Sequence, residues 1–151
     1  MKKKNILGQS LMEVVLAIGL ITLIMVTVVA AASISITNSS FSKNQTLSTR
    51  FSEATLEWLR GERNEDWDYF LSQALPEGIE QTICFTTLSW DGSTLGSCDP
   101  DSEGISDTPL KREVDFSLVD ESTVGVAVRI YWIDANGYHE VNSSTYLTNW
   151  H

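Results

Sequence analysis

Between Val14 and Ile36 the chain carries no charged residue, and the nineteen positions through Ala32 are interrupted only by Gly19, Thr22 and Thr27. About 20 apolar residues wound as a helix span a bilayer, so this stretch predicts a membrane-crossing helix. A Ser/Thr-rich run follows, Ser33 to Thr49, with neither Pro nor Gly in it. Apolar residues then recur at helical spacing, at Leu47, Phe51, Ala54 and Trp58, and Leu59 widens the stripe. The opposite face carries Arg50, Glu53, Glu57, Arg60 and Glu62, of which Glu57 and Arg60, three apart, can pair. Gly61 weakens the helix without stopping it. The pattern predicts one nearly continuous helix from about Gln9 to about Arg63, roughly 80 Å at 1.5 Å per residue. Its first half is apolar all round and its second half amphipathic. That suits a helix held in lipid at one end and packed on a globular head at the other.

Past the helix, Arg60 to Asp68 reads as a charged break, with Trp67, Tyr69, Phe70 and Leu71 folding back as core. Its carboxylates, Glu62, Glu65, Asp66 and Asp68, read as a solvated turn rather than a cation site. From there the period changes from helical to two. Gln81 to Ser89 is rich in β-branched and aromatic residues. Glu113 to Val119 alternates, with Val114, Phe116 and Leu118 on one face. Val124, Val126, Val128, Ile130 and Trp132 alternate strictly against Gly125, Ala127, Arg129, Tyr131 and Ile133. Asn136-Gly137 then predicts a type I′ hairpin turn, and Tyr138 to Leu147 returns as the last strand. Tyr131, Trp132 and Tyr146 read as sheet packing. Three or four antiparallel strands packed on the long N-terminal helix make an α+β fold.

Composition narrows the function classes. The part beyond Ile36 holds about 115 residues, enough for one small domain with one core. Ten basic residues stand against twenty acidic ones. That balance argues against a nucleic-acid contact, which needs a clustered basic face. No Walker, Rossmann or H-E-x-x-H pattern is present. The two histidines, His139 and His151, have no ligand spacing, and His139 reads as a solvated strand residue. The chain therefore reads as no enzyme, with no cofactor and no metal. Asp99, Asp101 and Glu103 alternate like the start of a calcium loop, but the twelfth-place acid is missing, Leu110 standing there. An exposed loop is the preferred reading there, and the first candidate for any specific contact outside the cell.

The N-terminus carries the sharpest signal. Lys2, Lys3 and Lys4 precede the apolar stretch and no basic residue follows until Lys43. The leader is thereby placed in the cytoplasm and everything beyond Ile36 outside. On that side Cys84 and Cys98, fourteen apart, read as a disulfide, two reduced thiols or a metal pair being the alternatives. An ordinary secretory signal is a competing reading, with Ala30-Ala31-Ala32 offering a cut, and so is an uncleaved anchor. Against the secretory signal stand a longer apolar core and Glu13 at its start, where a charge is costly.

Lys2-Lys3-Lys4, then Gly8-Gln9 and Glu13 five positions past the glycine, resembles the leader and cleavage signal of type IV pilins and type II secretion pseudopilins. The resemblance implies cleavage after Gly8 by a prepilin peptidase and N-methylation of Gln9. It also implies assembly in which Glu13 pairs with the N-terminal amine of an adjoining subunit. It divides the chain into a leader (1–8), a transmembrane and filament-core half-helix (9–36), an amphipathic half (37–65) and a β-sheet head (66–151). Removing the leader's three lysines leaves seven basic against twenty acidic residues. Ala54 to Arg60, Arg63 to Trp67 and the closing Trp132-Ile133-Asp134 and Thr145 to Trp150 segments are similar to PilV-type minor pilins. Many major pilins break the apolar helix with a proline, and this chain has none before Pro76. The expectation is a minor pilin or pseudopilin of a pilus-like or type II secretion filament. Its partners would be the peptidase, other subunits and, before assembly, the inner membrane. The rival expectation is a membrane-anchored binding module that never polymerises.

Overall fold

The computed structural model describes residues 7–99 and 104–149. Helix α1 runs unbroken from Leu7 to Glu65, through Gly61. The chain divides into two compact units, Met1–Lys43 and Asn44–His151. In the first, every described side chain from Leu11 to Ser40 is exposed.

The second unit is the α+β head. It holds the rest of α1, a short helix α2 (Trp67–Ala74) and five strands, β1 (Gln81–Phe85), β2 (Ser93–Leu95), β3 (Lys111–Asp120), β4 (Thr123–Asp134) and β5 (Gly137–Thr148). They form one antiparallel sheet in the order β2-β1-β3-β4-β5. This is one strand more than the three or four expected. The addition, β2, is three residues long, too short to display alternation.

Asp66 starts α2 by accepting the Tyr69 N–H at 2.9 Å, which satisfies one of the helix's orphan donors. Of the four residues expected to fold back as core, Phe70 is buried while Trp67 and Leu71 are half-buried and Tyr69 is exposed. The period-two reading of β4 holds: Val124, Val126, Val128, Ile130 and Trp132 are all buried. Beside them lie Val114 and Phe116 of β3, whereas Leu118, expected on the same face, is exposed at the last pairing before a register shift. Tyr146, read as packing, is also exposed.

The head half of α1 presents a different face from the one expected. Ser48, Ser52, Thr55 and Leu59 are buried; Ala54 is exposed, and Leu47, Phe51 and Trp58 are only half-buried. Arg112 of β3 explains part of this. Its guanidinium is buried at the helix–sheet contact, donating from Nε to the Phe85 carbonyl and from Nη1 to Thr55 Oγ1, each at 3.2 Å. Thr55 in turn donates to the Phe51 carbonyl. A long cationic side chain from the sheet needs a small, oxygen-bearing helix face opposite it. An aromatic cluster of Trp58, Phe70, Phe85, Trp90 and Phe116 fills the flank, and the Trp90 indole donates to Glu62 at 2.7 Å.

The closing hairpin also departs from expectation. Asp134 pairs with Gly137, so Ala135 and Asn136 form the loop, and the positive φ falls on Gly137 and not on Asn136. Asp134 Oδ1 accepts the Asn136 N–H at 2.7 Å, holding the turn from within.

Candidate functional site

The segment predicted to carry function lies on the first turns of α1. Gly8 and Gln9 are helical there, and Glu13 follows one turn after Gln9. Lys2, Lys3 and Lys4 lie outside the described residues. The Glu13 side chain is exposed and has no hydrogen-bond or ion-pair partner among the described residues.

Downstream of Glu13 the helix is long and apolar enough to cross a membrane. Its apolar side chains, from Val14 to Ile36, are exposed, with no partner element among the described residues. Four hydroxyls in and just past the stretch are satisfied within the helix. Thr22 donates to the Gly19 carbonyl at 2.9 Å, Thr27 to Ile24 at 2.8 Å, Ser33 to Val29 at 3.0 Å and Thr37 to Ser33 at 3.1 Å. Hydroxyls bonded back to i−3 or i−4 carbonyls ask nothing of the solvent, which removes much of their cost in an apolar medium. Among the described residues, the Glu13 carboxylate and the apolar surface beyond it are left without a partner. Both call for a partner.

In the head, Cys84 and Cys98 form a disulfide that ties β1 to the loop after β2. The same loop is held a second time. The Cys98 N–H donates to Glu113 Oε1 at 2.9 Å, and the buried Glu113 also accepts from the Tyr131 hydroxyl at 3.0 Å and pairs with Arg129 at 3.3 Å. Arg129 reaches Asp115 at 3.2 Å, and Asp115 accepts from Thr82. Burial, then the bond to Glu113, pushes the Tyr131 phenol up to about 12; Tyr138, through burial and then Glu140, rises likewise to about 12. The sequence reading missed this network. Its signal was available in the period-two charges Lys111, Glu113 and Asp115, which lie on the face opposite Val114 and Phe116.

Asp101 and Glu103 of the acidic loop lie outside the described residues, while Asp99 is exposed and its carbonyl accepts from Lys111 Nζ at 2.8 Å. Glu62, Glu65 and Asp66 line an open recess with Tyr69 and Trp90, and the Glu62 carboxylate there is engaged by the Trp90 indole. His139 corrects the expectation of a solvated residue. Its ring stacks on Trp132 with centroids 5.2 Å apart, and Nε2 lies 3.0 Å from Asp134 Oδ1. Compared with protein-family models, with curated proteins and with solved structures, the chain matches none.

Proposed function

We propose that this chain is a structural subunit of a filament of the type IV pilus or type II secretion class, a minor pilin or pseudopilin. A prepilin peptidase cuts it after Gly8, the amine of Gln9 is methylated, and the head stands outside the cytoplasmic membrane until the subunit assembles through its N-terminal helix. The reading is carried by one observation. A continuous helix joins an exposed apolar stretch, headed by the single carboxylate of Glu13, to a disulfide-tied head.

The chemistry of assembly follows from that stretch. Its apolar surface is accommodated about equally by lipid and by the same surface of neighbouring subunits, so apolar burial alone sets no register. A carboxylate in low dielectric is costly unless paired, and it attracts a positive amine strongly there. Glu13 supplies the carboxylate and the Gln9 amine of an adjoining subunit the positive charge.

N-terminal peptide mass spectrometry of protein from membranes and from sheared surface material tests processing. A start at Gln9 carrying one added methyl group is expected. A start at Ser33 would mean a secreted head, and an intact Met1 a simple anchor; either outcome overturns the proposal. Glu13→Ala should leave the protein in the membrane and abolish its presence in sheared filaments. In a plain anchor the same change would improve insertion, because it removes an intramembrane charge.

A further inference from the structure

The sheet ends on β5, and β5 is an unguarded edge. It pairs with β4 along all twelve of its residues, and among the described residues no element lies along its other side. At its end Arg63 Nη1 reaches across, to the Thr148 carbonyl at 3.0 Å. Natural edge strands are blunted by Lys, Pro, bulges or extreme shortness, since their free N–H and C=O groups are a template for another strand. Gly137 to Thr148 contains no Lys, Arg or Pro, its pairing with β4 shows no bulge, and its one carboxylate is Glu140.

The outward face of this strand reads almost alike in both directions. Tyr138, Glu140, Asn142, Ser144 and Tyr146 are all exposed, the two tyrosines by 53% and 71%. The order is aromatic, polar, amide, polar, aromatic, centred on Asn142. A two-fold interface between identical chains requires a patch that complements itself, and this one does. We infer that β5 docks the β5 of a second copy, antiparallel about Asn142, joining two five-stranded sheets into one.

The register follows from backbone geometry. Residues whose backbone groups face outward alternate along the strand, and in an antiparallel pair they must meet one another, so the partners of a self-pair are an even number of positions apart. Pairing about Asn142 meets that condition. Tyr138 then faces Tyr146 twice, Glu140 faces Ser144 twice, and Asn142 faces itself; on the other side of the sheet Val141 faces Ser143 and His139 faces Thr145. Charge selects the same arrangement. The chain carries a net charge of −10, so broad contacts between copies oppose like charges. In this register the two Glu140 carboxylates are held four positions apart, about 13 Å along the strands, beyond the Debye length of about 8–10 Å. Parallel in-register pairing would place Glu140 on Glu140. The inference concerns the head unit and holds for a filament subunit or a simple anchor alike.

The test uses the full chain in detergent micelles, with mass from light scattering across a concentration series. The wild-type chain should dimerise. Ser144→Glu sets a carboxylate opposite Glu140 twice and should raise the midpoint concentration roughly tenfold, whereas Ser144→Lys should lower it. Ser144 is exposed at an edge, so neither change threatens folding. Asn142→Cys puts thiols on the two-fold, with Cβ atoms about 5 Å apart, and should give an oxidised dimer; Glu140→Cys should not. A wild-type chain that stays monomeric overturns the inference. So does a dimer indifferent to Ser144→Glu, which would be held by its apolar helices, and so does equal cross-linking at 142 and 140.

Discussion

Arg112 lies with 3% of its surface exposed, and no carboxylate is within ion-pair reach of it among the described residues. Burial lowers its pKa to about 10. Truncation should be costly, because Arg112→Ala strips partners from the Phe85 carbonyl and the Thr55 hydroxyl and leaves a cavity: about 3 kcal/mol by urea unfolding. Arg112→Met keeps the volume and sheds the desolvation penalty, so it should cost at least about 1 kcal/mol less. Tyr131 and Tyr138 permit a sharper check. Their phenols are raised, so the stability they confer is complete below the usual tyrosine range near 10 and is lost as pH climbs towards 12. Ultraviolet titration should show two late ionisations, and Tyr131→Phe should delete one of them. The sequence disguised both features. Lys111-Arg112-Glu113 looks like a solvated charge run, and only the strand's alternation, once its faces are known, sends Arg112 inward and Glu113 to the opposite face.

The head half of α1 shows how an element can be legible while its buried face is not. Leu47, Phe51, Ala54 and Trp58 announced a helix, and the helix is there; the sheet, however, takes Ser48, Ser52, Thr55 and Leu59. Leu59→Ala should cost about 3 kcal/mol as a buried cavity. Ser48 Oγ and Ser52 Oγ are buried without a hydrogen-bond partner among the described residues. Replacing either by Ala should therefore stabilise the head by about 1 kcal/mol, through relief of desolvation and better helix propensity. A loss of similar size in thermal or urea melts would mean that these hydroxyls have partners. Apolar periodicity failed at this face because a helix packs on whatever surface the sheet offers, and here the sheet offers Arg112. The hairpin turn failed for a related reason: Asn136-Gly137 fits a two-residue turn, but the Asp134 side chain captures the Asn136 N–H and moves the turn back by one residue.

For the molecule as a whole, the disulfide and the exposed carboxylates set the response to conditions. Removing the Cys84–Cys98 bridge by paired alanine substitution should lower head stability by about 3 kcal/mol, the closure entropy of a loop this size. Asp120, Asp134 and Glu140 are each held below the usual carboxylate range, by the Ser122 N–H, the Asn136 N–H and the Tyr138 hydroxyl respectively. Lowered carboxylates add stability above their ordinary titration, so melting temperature should fall as pH drops below about 4. The sequence by itself determined the long helix, its apolar half, the Glu13 carboxylate and the strand alternation of β4, because each is a periodic or one-dimensional property of neighbouring residues. Only the tertiary structure decided the buried face of α1, the pairing of β2, the Glu113–Arg129–Asp115 network and the open edge of β5. Those depend on which distant side chains arrive opposite one another, and no local period encodes that.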